Sequence, residues 1–190
     1  MVEGFPNILE AAQTGAEWAV AELWRDLHPR LLRFLRGLNR DVAEDVESET
    51  WIRIARNLAQ FHGTESDFRA WSFKIARNLL IDWYRRTTRE RTTSVATEEL
   101  AALPGTDDPA AAAEEELELE ASLQLIRTLP SDQAEVILLR VLGGLDVGRV
   151  AAIMEKRPGT IRVLQHRGLR RLAEQLDPSA ELASEGSLLT

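Results

Sequence analysis

"LDVGRVAAIMEKRPGTIRVLQHRGLRRL" spans Leu145 to Leu172, and its spacing decides how the chain is read. Counting from Val147, an apolar Val150 falls at the fourth position and a small Ala151 at the fifth, so two helices can approach closely there. Met154, Ile161 and Leu164 supply the remaining buried contacts, which completes a helix-turn-helix pattern. Two positions depart from it: Glu155 stands where the turn usually has glycine, and Lys156 where an apolar residue is common. Pro158 suits the first turn of the second helix, and Gly159 allows close approach to a partner. With Ile161, Leu164, Gly168 and Leu172 facing inward, the outward face carries Arg157, Thr160, Val163, His166, Arg167 and Arg170. Residues at the start of such a helix reach base edges in the major groove, and arginines further on reach phosphates. The alternative is a basic surface helix that docks on an acidic partner.

That helix is an exception in its own chain. Lys156 to Arg171 holds six Lys/Arg and no acid, whereas the whole protein carries a net charge of −8. Charge is segregated elsewhere too. Thr92 to Glu120 has nine acids and no base, and Phe68 to Arg91 has seven bases against two acids. Binding follows the local field, so overall acidity does not exclude nucleic acid, although it predicts weak binding to DNA alone.

Composition excludes several classes. The 190 residues suffice for one ordinary domain or two small ones. Hydrophobic content of 44% and charged content of 28% fit a globular chain. No stretch approaches the roughly 18 apolar residues of a membrane span. "MVEGFPNILEAAQTG" has no basic patch before an apolar run and does not read as a signal peptide. Zero cysteines exclude disulfides, thiolate catalysis and cysteine-held zinc. His28, His62 and His166 lack metal-ligand spacing. The expectation is a cytoplasmic protein without metal or cofactor.

Five segments follow: an N-terminal extension (1–15), a first domain (16–89), a flexible acidic linker (90–116), a second domain (117–176) and a tail (177–190). The linker contains Pro104-Gly105 and Asp108-Pro109 and few large apolar residues before Leu117. A helix in the C-terminal half of that stretch, where the alanines lie, is the alternative.

Nearly everything outside the linker reads as helix, so the predicted fold class is all-α, two small helical domains with a helix-turn-helix in the second. In "EWAVAELWRDLHPRLLRFLRGL", Trp18, Ala21, Trp24, Leu27, Leu31, Leu35 and Leu38 recur at three-to-four spacing. Pro29 predicts the start of a second helix there. Asp41 and Glu44 suggest a capping box ahead of a helix whose buried face is Val42, Val46, Ile54 and Leu58. After the polar loop "HGTESD", Phe68, Trp71, Ile75, Leu79 and Trp83 form the next apolar stripe. A helix to Leu129, a start signal at Pro130-Ser131 and a stop at Gly143-Gly144 lead into the helix-turn-helix.

Three stretches together resemble the two-domain RNA polymerase sigma factors of the extracytoplasmic-function type. "AEDVESETWIRIARNL" is similar to the family's polymerase-binding helix: Asp45, Glu49, Thr50 and Trp51 fit, and Ser48 replaces the usual glutamine. "FRAWSFKIARNLLIDWYRR" is similar to the helix after the promoter-opening loop, including Phe68, Trp71, Ala76, Asn78 and Asp82. Leu129 to Leu172 resembles the C-terminal domain, with Leu129-Pro130, Gly144 and Gly159-Thr160. The blocks occur in the family's order across an acidic linker.

The resemblance implies core RNA polymerase and promoter DNA as partners, together with an anti-sigma factor, and implies no cofactor. It places Asp45, Glu49, Trp51 and Arg53 against the polymerase clamp; ordinary solvated carboxylates and a core tryptophan are the alternative. It assigns the melted minus-ten element to Phe61, His62, Thr64, Lys74 and Arg77, with Arg85 and Arg86 along the strand. Opening costs a few kcal/mol per unstacked base, and capture must offset that. It assigns the minus-thirty-five element to Arg157, Thr160, Arg162, Val163, His166, Arg167 and Arg170, and it runs the linker through a basic polymerase channel. Two other readings are a stand-alone helix-turn-helix regulator and a helical enzyme. The second finds no nucleophile–base pair, phosphate-cradling loop or metal cluster in the sequence.

Overall fold

The computed structural model describes residues 4–91 and 111–176. Within them lie eight α-helices and no strand: α1 (Phe5–Gln13), α2 (Glu17–Leu38), α3 (Ala43–Asn57), α4 (Glu65–Arg91), α5 (Ala111–Arg127), α6 (Ser131–Val141), α7 (Val147–Met154) and α8 (Pro158–Leu176). The all-α expectation holds. Single 3-10 turns at Arg40–Val42 and Leu58–Gln60 flank α3.

Helix α2 runs unbroken through Pro29, which corrects the expected new start there. Interior proline costs about 3 kcal/mol through a lost hydrogen bond and a ring clash. Here the residue whose carbonyl loses its partner, Arg25, is exposed, so water can serve it. Leu27, Leu31, Phe34 and Leu35 are fully buried around the proline, each worth roughly 1.5–3 kcal/mol, and their sum exceeds the penalty. The expected stripe is also displaced in the first two turns. Ala19 and Leu23 face the core, whereas Trp18 and Trp24 are 53% and 46% exposed. Bulk led the sequence reading to the tryptophans; smaller residues one position away fill the space beneath α1.

The start of α3 is not the expected capping box. The Asn39 side chain accepts from the Asp41 amide at 3.1 Å and caps the 3-10 turn instead. Glu44 pairs with Arg36 across the turn at 3.0 Å. Val42, Val46, Ile54 and Leu58 are buried as expected. A capping box does exist at α4. The Thr64 hydroxyl accepts from the Asp67 amide at 3.3 Å, and the Asp67 carboxylate accepts from the Thr64 amide at 3.0 Å. On α4, Phe68 and Leu79 are buried, but Trp71, Ile75 and Trp83 lie at the rim, and Phe73, Ala76 and Leu80 go deeper. Phe73 meets Phe34 of α2 edge-on, centroids 5.2 Å apart.

In the second half, α5 ends at Arg127, two residues before the expected Leu129. Helix α6 starts at Ser131 after Pro130, and Gly144 turns the chain at φ 60°. Between α7 and α8, Glu155 takes the left-handed conformation at φ 55° and ψ 40° that glycine would favour. The Lys156 amide donates to the Ala151 carbonyl at 3.0 Å, which closes the helix end. Helix α8 crosses α6 at Gly168, where a β-carbon would come within 2.7 Å of Ile137 Cδ1.

The two halves pack on one another. A β-carbon at Gly37 of α2 would lie 2.8 Å from Leu138 Cδ1 of α6, so a larger residue there would force the Leu138 side chain to shift. Arg127 of α5 donates to the Arg36 carbonyl at 2.9 Å, and Arg30 of α2 donates to the Leu142 carbonyl at 3.3 Å. Arg77 of α4 and Glu135 of α6 form an ion pair with side chains only 16% and 12% exposed. The residues of the expected linker between 92 and 110, and the tail from 177, lie outside the described residues. A left-handed non-glycine residue costs about 1–2 kcal/mol, partly offset by the extra freedom glycine gives the unfolded chain. Glu155→Gly should therefore raise unfolding stability by about 0.5–1 kcal/mol in urea titrations; a loss of stability would mean the Glu155 side chain contributes more than its strain costs.

Candidate nucleic-acid and polymerase interface

The helix-turn-helix is held from below by polar contacts. Asp146 caps α7 by accepting from the Arg149 amide at 2.9 Å. Lys156, the departure from the pattern in the turn, pairs with Asp132 of α6 at 3.0 Å, so its ammonium ties the turn to the helix beneath. Ile161 and Gly168 are buried, and Leu164 is half-buried. These contacts fix which face of α8 is presented. Arg157, Thr160, Val163, His166, Arg167 and Arg170 are all exposed, as the periodicity predicts, and so is Arg162. Arg170 makes a surface pair with Glu174 at 3.2 Å. Arg157, Arg162 and Arg167 make no ion pair among the described residues. Gly159 has open space where its side chain would be.

The loop expected over Phe61–Asp67 is shorter, because Glu65 to Asp67 form the first turn of α4, and it divides its expected site residues. His62 is exposed, and Lys74 is exposed on the helix that follows. Phe61 turns its ring inward, 5.4 Å from Phe68 and 5.1 Å from Trp71, centroid to centroid. Thr64 donates its hydroxyl to Asp67 at 2.6 Å, so it frames the loop as a helix cap. Gly63 has φ 156°, and a β-carbon there would come within 2.9 Å of Asp67 Cβ, so glycine keeps the loop closed over its cap. Arg77 is engaged with Glu135 of the other half. Burial pushes the Glu135 carboxyl above its ordinary value, against the opposing pull of Arg77. Asp67 is joined across the halves as well, to Arg149 at 2.8 Å.

On α3, Asp45 is exposed, and Glu49 pairs with Arg53 at 3.3 Å. Ile52 is 44% exposed on the same side as Asp45 and Glu49, an apolar centre that the sequence reading missed because an isolated isoleucine carries no signal. Trp51 is half-buried, and its indole N–H donates to Glu47. Glu47 also shares a hydrogen bond of 2.7 Å with His28 Nδ1, and His28 stacks on Trp24 at 4.2 Å. Glu47 thus links Trp51 within α3 to His28 of α2. Glu135 was missed too, since it acts on a part of the chain distant in sequence.

Two family models match the chain: Sigma-70 region 2 over residues 23–90 and Sigma-70, region 4 over residues 119–172. The sigma factor SigX of Bacillus subtilis is 30% identical over 167 residues, covering 82% of each chain. BldN of Streptomyces coelicolor, an ECF sigma factor, is 34% identical over 176 residues, spanning 92% of this chain and 66% of that longer one. Among solved structures, the sigma factor RpoE of Bartonella quintana, in complex with the anti-sigma factor NepR, superposes with a TM-score of 0.63 at 29% identity, covering 83% of this chain and 95% of that one. The chain belongs to the ECF-type RNA polymerase sigma factors. It binds core RNA polymerase, recognises minus-ten and minus-thirty-five promoter elements and initiates transcription; members of this family are initiation factors rather than catalysts. No helix of the described residues is long and apolar enough to cross a membrane.

The Asp67 carboxyl reports the capping box directly. The hydroxyl and amide of Thr64, and then Arg149, hold it down from 3.8 to about 2. The unfolded chain titrates near the ordinary value, so this carboxylate's stabilising effect is complete above about pH 4 and fades as pH falls towards about 2. An NMR titration of the side-chain carbon should place the midpoint near 2, and Arg149→Ala should raise it part of the way. A native midpoint at the ordinary carboxylate value would mean the box is open in solution.

Proposed function

We propose that the exposed face of α8 reads the minus-thirty-five element through Arg157, Thr160, Arg162, Val163, His166 and Arg167, with Arg170 on a phosphate. The observation that carries this is the set of three arginines without an ion pair on the one helix that the turn geometry presents outward. Elsewhere, many arginines are neutralised by carboxylates. We further propose that the Phe61–Asp67 loop, with His62 at its rim, receives a base of the melted minus-ten strand, and that Lys74 and Arg77 follow its phosphates. On α3, Asp45, Glu49, Ile52 and Arg53 would meet the polymerase. Phe61 and Thr64 serve as the floor and frame of the loop. An anti-sigma factor is a further expected partner, because the RpoE relative was solved in complex with one.

The packed arrangement has a consequence for DNA engagement. The Asp67–Arg149 pair brings the loop against the first helix of the helix-turn-helix, and α7 is only 8 residues long, roughly 12 Å. Elements centred ten and thirty-five base pairs upstream lie about 25 base pairs, or ~85 Å, apart on B-form DNA. The halves must separate before both are engaged, and separation also frees Arg77 from Glu135. Glu135→Ala leaves a buried arginine without its partner, which typically costs about 3–5 kcal/mol. It should shift the chain towards the separated form, seen as lower energy transfer between dyes on α3 and α8. Unchanged transfer would mean this ion pair does not hold the halves together.

Run-off transcription with bacterial core polymerase on fragmented genomic DNA tests the assignment as a whole. Discrete starts that require this protein and share two motifs at fixed spacing are expected. Sequence-specific binding by the protein alone, without starts, would instead indicate a stand-alone regulator. On the promoter so defined, Arg167→Ala should cost about 1–3 kcal/mol and relax one position. Arg170→Ala should lower the salt slope by roughly 1 with little change in preference.

A further inference from the structure

Helix α1 precedes both matched segments, the first of which begins at residue 23, yet it does not sit apart from the loop. Leu9 and Ala12 are buried against the first domain, and the chain reverses after α1 through Gly15 at φ 89°. This brings Gln13 under the entrance to the loop. Its side-chain amide donates to the Leu58 carbonyl at 3.0 Å and to the Phe61 carbonyl at 2.7 Å. One NH2 group thus closes the 3-10 turn and the first residue of the loop together. Phe5, at the other end of α1, lies 5.8 Å from Phe68, the ring that Phe61 also packs on. Helix α1 therefore grips the loop at its backbone on one side and through its aromatic floor on the other. The capping box at Thr64 and Asp67 secures the exit.

We propose that Gln13 is a positioning residue for promoter melting: by fixing the Leu58 and Phe61 carbonyls, it holds the loop in the shape that receives a flipped base. This rests on the assignment of the Phe61–Asp67 loop as the capture site. The physical reason is pre-organisation. A loop ordered before the strand arrives loses less conformational freedom on binding, so more of the contact energy is left to offset unstacking. Gln13 touches no DNA in this scheme and acts only through the backbone. The two carbonyls it serves are partly buried, and each net hydrogen bond contributes about 0.5–1.5 kcal/mol.

The test uses full-length protein assembled with core polymerase on a promoter identified by run-off mapping. Gln13→Met keeps the length and bulk of the side chain and removes both donors. Three quantities are compared with wild type: permanganate reactivity of unpaired thymines across the melted segment, affinity for an upstream duplex carrying the minus-thirty-five element alone, and affinity for core polymerase. The expected result is a loss of melting of roughly tenfold, with the other two unchanged within twofold. Equal losses in all three would overturn the proposal, because α1 would then be holding the domain together and nothing more. His62→Ala and Gly63→Ala, made in parallel, separate the two layers of the argument. If they impair melting and Gln13→Met does not, the loop is the capture site and the role of Gln13 is refuted. If neither loop variant affects melting, the loop assignment fails, and this inference fails with it.

Discussion

The structure depends on the burial of one face of α2. Helices α1, α3 and α4 pack around it on the first side, and α5 and α6 reach it from the second half. The buried residues Leu23, Leu27, Leu31, Phe34 and Leu35 tolerate a proline in their midst because the face they form is enclosed on several sides. Near its C-terminal end, Gly37 replaces bulk with access, and Leu138 occupies the space. A single helix therefore serves as core for the first half and as the docking rail for the second.

The charge pattern follows the same division. An acidic protein has carboxylates to spare, and it uses many of them on its own arginines: Arg36 on Glu44 and Glu116, Arg127 on Glu120, Arg149 on Asp67 and Asp146, Arg77 on Glu135. The exposed pairs among these contribute little to stability, typically 0–1 kcal/mol; the Arg77–Glu135 pair is largely shielded from solvent. The effect of these pairs is to offset positive charge at those sites, whereas Arg157, Arg162 and Arg167 of α8 have no such carboxylate among the described residues. The same pairs are in competition with phosphate. Arg77, proposed above to follow the strand, is neutralised by Glu135 of the other half in this packed arrangement.

The sequence reading succeeded where a local rule had one physical solution. The helix-turn-helix was legible because Val150, Ala151, Ile161 and Gly168 must be apolar or small for two short helices to cross, and all four are buried. It failed where two local solutions were nearly equal. Trp18 and Trp24 occupy as good a helical stripe as Ala19 and Leu23, and only the presence of α1 selects between them. Asp41 with Glu44 and Thr64 with Asp67 both resemble capping boxes. Asn39 takes the first site by starting a 3-10 turn, and the second forms because Gly63 lets the chain fold back over Asp67. The loop residues were assigned by their position in the chain, but their orientation came from the aromatic cluster beneath them.

By itself, then, the sequence determined the helical elements, the exposed face of α8 and the membership of the chain in its family, because spacing and residue type act within a few turns of helix. Tertiary structure alone decided which arginines stay unpaired among the described residues, which rings pack on one another, and that Gln13 bonds to carbonyls 45 to 48 residues away. Those outcomes depend on pairs brought together by burial. A charge or an amide does not announce in sequence which distant partner will satisfy it, since the desolvation that forces the pairing exists only once the helices have packed.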